Sequence, residues 1–235
     1  MALGYDGKLY ILAFDHRGSF QKKMFDIEGD PTPEETKVIS DAKKLIYEGM
    51  EKAVQQGLDA SSAGVLVDEQ FGSDIPELAA KEGLSLTMPA EPAQLESVGG
   101  DTDRYDAELR PELMRRAIEE IQAFGIEVDI WKIEGVDERS DCEMLAAQTR
   151  SGEGRENVVC VVLGRGASID KVDQWLRAGA PVDGYVGFAI GRSIWWDALK
   201  AFLDGSLARE QAAEQIAGHY LRFIQVYEEA TAKVA

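Results

Sequence analysis

The amino-acid sequence predicts an α/β protein built from alternating strands and helices. The first indication is a set of short, mostly apolar runs, which are typical of buried strands in a parallel sheet. The second is the amphipathic helical spacing of several segments between these runs. The third is length, because 235 residues with 45% hydrophobic content suffice for one sizeable core. We therefore expect a single domain over residues 1–235. The predicted strands are residues 9–14, 63–67, 84–88, 126–133, 157–163 and 183–190.

The first long helix has a predicted start at Thr32. Threonine is a good N-cap, Pro33 suits the first helical position, and Glu35 completes a capping box. The helix is expected to end near Gln56, just before Gly57. Its core-facing stripe follows from helical spacing and comprises Val38, Ala42, Leu45, Ile46, Met50 and Val54.

The segment at residues 125–135 carries the first candidate chemistry. It is bounded by glycines and reads as a buried strand after the helix predicted over residues 111–124. Lys132 lies near the carboxyl end of this strand, and strand alternation puts Glu134 on the same face, about 7 Å away. A lysine in a low-dielectric pocket has its charged form penalised, so its amine can attack a carbonyl. Lys132 and Glu134 are therefore candidate catalytic residues. The alternative is a structural ion pair at a strand end.

Charged residues also follow the first predicted strand. Asp15 and Arg17 come directly after residues 9–14, at the end of a strand where α/β proteins place their sites. Asp15 is a candidate catalytic residue, and Arg17 is a candidate substrate-binding residue. The alternative is a polar loop with a solvated Asp–Arg pair.

The last two predicted strands both end in glycine turns that lead into helices. Gly164, Arg165 and Gly166 follow one strand, and Gly191 and Arg192 follow the next. Glycines let backbone N–H groups approach an anion, helix N-termini favour negative charge, and arginine adds bidentate donors. The two turns together predict a phosphate site, although each alone could be a tight turn. Neither matches the spacing of a nucleotide-binding loop, so no cofactor is expected.

Charge and composition exclude several classes of function. A net charge of −18 opposes binding to nucleic acid or to an anionic membrane. This charge does not oppose a small phosphorylated substrate, provided that a few arginine and lysine side chains converge locally; the resemblance described below implies that this partner is a phosphorylated sugar. Two histidines far apart in sequence do not suggest a zinc site with three protein ligands, so no metal is expected. The two cysteines do not suggest a disulfide framework. Without a long apolar run or a signal-peptide pattern, we expect a cytoplasmic protein.

Five of these segments together resemble one protein family. They are residues 12–20 (LAFDHRGSF), 66–69 (LVDE), 131–135 (WKIEG), 163–166 (LGRG) and 187–192 (GFAIGR). They are similar to the aldolase-like domain fused after 5-dehydro-2-deoxygluconokinase in bacterial inositol catabolism, a relative of the class I tagatose-1,6-bisphosphate aldolases. The likeness covers nearly the whole chain.

This resemblance implies a TIM-barrel-like (β/α) fold of the class I aldolase type. It implies cleavage of 5-dehydro-2-deoxygluconate 6-phosphate to dihydroxyacetone phosphate and malonate semialdehyde. Lys132 would be the Schiff-base lysine, and Asp15 and Arg17 would be site residues of the first strand. The turns at residues 164–166 and 191–192 would hold the phosphate. Because the sequence opens at its own methionine with no kinase ahead of it, the domain is expected to stand alone.

The predicted strands are two fewer than the eight of that family, so a barrel shortened to about six βα units is expected. The missing pair would fall between Met88 and Gln94, together with the glutamate that is the general acid/base in the aldolase relatives. Glu69, Glu91 or Glu134 could replace it. Six strands would close a narrower barrel or leave sheet edges that pair with another subunit in a homo-oligomer. Two alternatives stay open: a non-catalytic sugar-phosphate-binding or interaction module, and a class I aldolase of different specificity.

Overall fold

The computed structural model describes residues 3–68, 70–72, 75, 78–79, 85–87 and 105–232. The chain divides into two compact units. Unit 1 consists of Met1–Leu9, Glu91–Ala189 and Gln225–Ala235, and unit 2 consists of Tyr10–Ala90 and Ile190–Ile224. Each unit carries some of the candidate site residues.

All six predicted strands are present. They are β1 (Leu9–Ala13), β2 (Ala63–Leu66), β3 (Ser85–Thr87), β4 (Ile130–Glu134), β5 (Val159–Leu163) and β6 (Tyr185–Ile190). In unit 2, β1 pairs in parallel with β2, and β2 pairs in parallel with β3. In unit 1, β4 pairs in parallel with β5, and β5 pairs in parallel with β6. The predicted α/β class with parallel strands is therefore confirmed.

The described residues also form seven α-helices. They are α1 (Gly18–Phe25), α2 (Pro33–Gln55), α3 (Arg110–Ala123), α4 (Arg139–Thr149), α5 (Ile169–Gly179), α6 (Arg192–Leu203) and α7 (Arg209–Ala232). Helices α1, α4, α5 and α6 come next in the chain after β1, β4, β5 and β6, so the predicted βα repeat is confirmed. None of the helices in the described ranges has both the length and the apolar character needed to cross a membrane.

Helix α2 begins as its sequence predicts. The Thr32 hydroxyl accepts from the backbone N–H of Glu35 at 3.2 Å, and the Glu35 carboxylate accepts from the backbone N–H of Thr32 at 2.8 Å. The buried face of the helix differs from the prediction, since Val38 is 50% exposed whereas Ile39 and Lys43 are buried. Ala42, Leu45, Ile46 and Met50 are buried as predicted, and the prediction for Val38 is wrong because Ile39 packs at the start of this face instead.

Strand β4 is shorter and less buried than predicted. The sequence predicts a buried strand from residue 126, but β4 begins at Ile130, and most of residues 126–129 are exposed. Gly125 has a φ of +75°, which ends α3 in a left-handed turn. Glu127 then accepts two hydrogen bonds from Arg155, at 2.7 and 2.8 Å. This surface pair holds the residues after the turn outside the core.

The strands supply buried residues in both units. Leu12 and Val65 in unit 2, and Phe188 in unit 1, have no exposed surface. Cys142 and Cys160 are both buried free thiols. Burial raises the pKa of each thiol to about 12. Neither cysteine is therefore prepared to act as a thiolate nucleophile.

Candidate functional site

In unit 1, the candidate residues at the ends of β4 and β5 lie on neighbouring strands. The two strands pair with Lys132 opposite Val161 and with Glu134 opposite Leu163. The turn at residues 164–166 follows β5 directly. The Lys132 side chain is exposed. Lys132 is the central residue of β4 rather than near its carboxyl end, where the sequence predicts it, and Glu134 is the last residue of the strand. The carboxyl end of this strand pair therefore presents a carboxylate and an arginine-bearing turn, with the exposed amine two residues before the carboxylate.

The turn after β5 has a backbone conformation that favours glycine. Arg165 and Gly166 have φ values of +51° and +72°, and the Ala167 N–H donates to the Gly164 carbonyl at 3.0 Å. Two successive residues with positive φ make a primed β-turn. An arginine in the left-handed region is uncommon, and such residues concentrate at functional sites. Helix α5 starts shortly afterwards with Ser168 as its N-cap. Phosphate binding by this turn stays a prediction.

Arg165 belongs to an ion-pair network within unit 1. Its Nη1 donates to both carboxylate oxygens of Asp106, at 2.9 and 3.0 Å, and its Nε lies 3.2 Å from Glu134 Oε2. Arg110 contacts the same two carboxylates. Its Nε donates to Asp106 Oδ1 at 2.9 Å, and its Nη1 lies 3.6 Å from Glu134 Oε2. Within the described residues, Glu134 thus pairs with two arginines and not with Lys132.

Sequence reasoning missed two members of this network, Asp106 and the buried Arg110, and Arg110 makes contacts beyond it. Its side chain is 2% exposed, donates to the Gly135 carbonyl at 2.8 Å and lies 5.9 Å from the centre of the Trp175 ring. One signal was available, because Asp106 precedes it by four residues, the spacing at which opposite charges pair on a helix. The sequence predicts that this helix begins only at residue 111. Instead, a π-helical turn at Tyr105–Leu109 leads into α3.

In unit 2, the end of β1 lies close to the start of α6. Gly191 is the N-cap of α6, and a Cβ atom at this position would lie 2.2 Å from the Ala13 carbonyl oxygen and 3.4 Å from His16 Cε1. That carbonyl also accepts from Trp195 Nε1 at 2.9 Å. Asp15 Oδ1 lies 3.9 Å from His16 Nδ1. Unit 2 therefore brings the residues after β1 together with the glycine turn that begins α6.

Gly191→Ala is expected to lower the free energy of unfolding by about 1–3 kcal/mol, because the added Cβ overlaps the Ala13 carbonyl. Urea denaturation followed by circular dichroism measures this change. Gly18→Ala is the matched control, since a Cβ at Gly18 meets nothing within 4 Å and alanine suits the helix that begins there. Equal denaturation midpoints for the two variants would contradict the close approach at Gly191.

A buried ion pair in unit 2 was also missed by sequence reasoning. Lys43 Nζ, on α2, pairs with the Asp68 carboxylate and donates to the His16 carbonyl at 3.0 Å. Asp68 Oδ1 accepts from the Phe71 N–H at 3.0 Å. The side-chain exposures of Lys43 and Asp68 are 1% and 0%. The Lys43 amine therefore links the residues that follow β1 to those that follow β2, inside the core of unit 2.

The pKa of the Lys43 amine depends on two charged residues of the predicted site. Burial lowers the pKa of the Lys43 amine, the Asp15 carboxylate opposes that shift, and the Arg17 guanidinium adds to it. The sequence contains a signal for this residue, because Lys43 follows Ile39 by four positions and precedes Ile46 by three. A lysine at those spacings lies on the apolar face of the helix.

The predicted site residues fall into two groups. Unit 1 holds the amine, its neighbouring carboxylate and the turn after β5, and unit 2 holds the residues after β1 and at the start of α6. The residues in unit 1 are Lys132, Glu134, Gly164, Arg165 and Gly166. The residues in unit 2 are Asp15, Arg17, Gly191 and Arg192. A single site made from both groups stays a prediction.

Two further expectations concern residues outside those described. They are the strands predicted to be missing between residues 88 and 94, and the candidate acid/base residues Glu69 and Glu91. Glu134 is the candidate acid/base that the structure describes. Within the described ranges, no group of three or more histidine, cysteine or acidic side chains could hold a metal ion.

Comparison with known proteins gives a family. A family model described as "Uncharacterized protein conserved in bacteria (DUF2090)" matches residues 5–99 and 101–231. No curated protein matches the chain. The matched residues cover nearly the whole chain, but the family's description names no activity.

Several solved structures are similar to this chain at low identity. A fructose-bisphosphate aldolase from Plasmodium falciparum, solved with TRAP and a small-molecule inhibitor, has a TM-score of 0.49 and 10% identity over 96% of this chain and 91% of that chain. A structural-genomics target from Corynebacterium glutamicum has a TM-score of 0.36 and 17% identity over 94% and 88%. A cube-shaped protein cage, designed by fusing symmetric oligomeric domains, has a TM-score of 0.32 and 16% identity over 96% and 74%.

Proposed function

Because the chain belongs to DUF2090, a family of uncharacterized proteins conserved in bacteria, we propose a function from its own residues: a class I aldolase. Its substrate would be a phosphorylated keto-sugar acid such as 5-dehydro-2-deoxygluconate 6-phosphate. The products would be dihydroxyacetone phosphate and malonate semialdehyde. The substrate class is supported by the five segments that resemble the aldolase-like domain of inositol catabolism.

The observation that carries this proposal is the arrangement of side chains along β4 and in the turn after β5. An exposed lysine at position 132 lies two residues before Glu134, and Glu134 lies 3.2 Å from the guanidinium of Arg165. The carboxyl ends of parallel strands are where α/β proteins build their sites. A substrate that covers Lys132 would also desolvate its amine and favour the neutral, nucleophilic form.

The proposed reaction uses the amine as a nucleophile and the iminium that it forms as an electron sink. The Lys132 nitrogen attacks the ketone carbon of the substrate, water leaves, and a protonated iminium forms. The bond between the α carbon and the hydroxyl-bearing β carbon then breaks, and its electron pair passes into the iminium to give an enamine. A base takes the proton of the β-hydroxyl group as malonate semialdehyde leaves. A proton returns to the enamine carbon, and water releases dihydroxyacetone phosphate from the lysine.

The remaining candidate residues have supporting roles in this proposal. Glu134 is the described candidate for moving the protons, a contribution that is typically about 10²–10⁴-fold in rate. Asp15 and Arg17 would orient the hydroxyl and carboxylate groups of the substrate. The phosphate would be held by the glycine turns, with Arg165 and Arg192 as donors.

A direct activity assay tests the proposal. The chain is incubated with 5-dehydro-2-deoxygluconate 6-phosphate, and release of dihydroxyacetone phosphate is followed with a coupled dehydrogenase. We expect the cleavage step catalysed by this chain to proceed without an added cofactor, apart from the one that the coupling dehydrogenase uses. A chain that binds inorganic phosphate but releases no dihydroxyacetone phosphate from this substrate would contradict the proposed reaction.

Asp106 is expected to weaken phosphate binding, because it already holds the Arg165 guanidinium through two hydrogen bonds. Asp106→Asn removes that negative charge and should tighten the binding of inorganic phosphate about two- to five-fold, the range for a partly exposed ion pair. Isothermal titration calorimetry measures the dissociation constant. Asp183→Asn is the matched control, because Asp183 pairs with Arg150, at 2.7 Å, rather than with Arg165. An unchanged constant in Asp106→Asn would argue against phosphate binding by Arg165.

The second candidate function is a non-catalytic module that binds sugar phosphates. It is favoured by the exposure of Lys132 and by the two carboxylates that already neutralise Arg165. Such a module would keep phosphate binding at the glycine turns and would form no covalent adduct. The activity assay separates the two functions, since only the aldolase releases dihydroxyacetone phosphate.

A further inference from the structure

The Lys43–Asp68 pair is the buried charged group that the proposed reaction does not use. The pair joins three elements of unit 2, since Lys43 is on α2, Asp68 follows β2, and the His16 carbonyl that accepts from Lys43 Nζ follows β1. The rings of Phe20 and Phe71 each have their centre 5.6 Å from Lys43 Nζ. The ammonium group is therefore enclosed by aromatic faces, one carboxylate and one backbone carbonyl.

A contribution to the stability of the fold does not by itself explain why a charged pair is buried at this position. Taking two charges out of water is costly, and replacement of such pairs by apolar side chains of similar volume is often neutral or stabilising. Methionine and leucine would fill the same space without that cost. They could not, however, donate a hydrogen bond to the His16 carbonyl, which is the contact that needs an amine.

The segment that receives this hydrogen bond is held by backbone hydrogen bonds at its two ends. Strand β1 ends at Ala13 and α1 begins at Gly18, so residues 14–17 lie between regular elements. The N–H of Phe14 donates to the Leu66 carbonyl at 2.9 Å, and the Arg17 carbonyl accepts from the Gln21 N–H at 2.9 Å. The hydrogen bond from Lys43 to His16 holds the middle of the segment, between Asp15 and Arg17.

We propose that Lys43 is a positioning residue, which fixes the backbone of residues 15–17 through the His16 carbonyl and so holds Asp15 and Arg17 in one conformation. Asp68 anchors the ammonium group in the orientation that this contact requires. The positioning itself follows from the contacts within unit 2. Its consequence for turnover rests on the proposed function, in which Asp15 and Arg17 orient the substrate.

The test uses the double variant Lys43→Met/Asp68→Leu, which removes both charges and keeps similar side-chain volumes. Hydrogen–deuterium exchange of the peptide covering residues 14–20 is compared with the wild type, together with the thermal midpoint of the whole chain. We expect exchange in this peptide to be about ten-fold faster, which corresponds to the loss of one buried hydrogen bond. The thermal midpoint should be unchanged or higher.

Lys52→Met/Glu210→Gln is the matched control, because it removes another lysine–carboxylate ion pair of unit 2, one whose carboxylate is 81% exposed. This control should leave exchange in residues 14–20 unchanged. Unchanged exchange in Lys43→Met/Asp68→Leu would overturn the proposal. Faster exchange throughout the chain with a lowered thermal midpoint would overturn it as well, because Lys43 would then be a general stabilising group.

The activity assay gives a second readout that a structural role would not move. With the fold retained, Lys43→Met/Asp68→Leu should lower kcat/KM for dihydroxyacetone phosphate release about ten-fold, since a misplaced orienting group costs transition-state binding. Full wild-type kcat/KM in this variant would overturn the proposed link to turnover. Absence of release by the wild type would instead count against the aldolase function, and the exchange experiment would still decide the positioning.

Discussion

Replacement of Lys132 by methionine is expected to abolish cleavage of 5-dehydro-2-deoxygluconate 6-phosphate, with kcat lowered roughly 10³-fold or more. Methionine has a similar length but no amine, so no iminium can form and the electron pair of the breaking bond has no sink. Phosphate binding should persist, because the amine is not one of the proposed phosphate donors. The coupled assay for dihydroxyacetone phosphate measures kcat at saturating substrate.

Two further variants show whether the amine itself is responsible. Lys132→Arg keeps the positive charge without a nucleophilic amine, and it should be as inactive as Lys132→Met. Lys200→Met removes another exposed lysine, located on α6, and should keep the wild-type kcat. Activity above about a tenth of the wild-type value in Lys132→Met would mean that a different group carries the reaction.

Asp68→Ala is expected to produce the largest loss of stability, a decrease of about 3–5 kcal/mol in the free energy of unfolding. The substitution leaves the Lys43 ammonium buried without its carboxylate, and it also removes the acceptor of the Phe71 N–H. Urea denaturation at pH 7 measures the change. Lys43→Met/Asp68→Leu should recover most of this loss, because neither charge is then left unpaired in the core.

An exposed pair supplies the control for the Asp68 experiment. Glu210 pairs with Lys52 and its side chain is 81% exposed, so Glu210→Ala should change the denaturation midpoint very little. A denaturation midpoint for Asp68→Ala equal to that of Glu210→Ala would contradict the burial of the Lys43–Asp68 pair. Failure of the double variant to recover stability would contradict the claim that an unpaired buried charge causes the loss.

Much of the fold could be predicted because local patterns decide it. Apolar runs identified all six strands, and the capping box at Thr32 located the start of α2. The errors came from tertiary packing, which no local pattern shows. The segment before β4 reads as part of a buried strand, but the Glu127–Arg155 pair holds it at the surface. The packed face of α2 includes Ile39 where spacing favoured Val38.

The candidate site was predicted in part. The positions of Asp15 and Arg165 after strand ends follow from the sequence, because a charge directly after an apolar run marks a strand end. Lys132 instead lies in the middle of β4, because the strand begins and ends later in the chain than its apolar run indicates. Their partners could not be predicted in the same way. Arg165 pairs with Asp106, which is 59 residues away, and Lys43 pairs with Asp68, which is 25 residues away. Such pairs exist only because the fold brings the residues together.

The reactive amine can be identified in one measurement. The chain is incubated with dihydroxyacetone phosphate, reduced with sodium borohydride, digested and mapped by mass spectrometry, so that any iminium is converted into a stable secondary amine. We predict that the reduced adduct is found on Lys132. An adduct on Lys43 or another lysine instead, or no adduct on a chain that still binds dihydroxyacetone phosphate, would contradict the central claim.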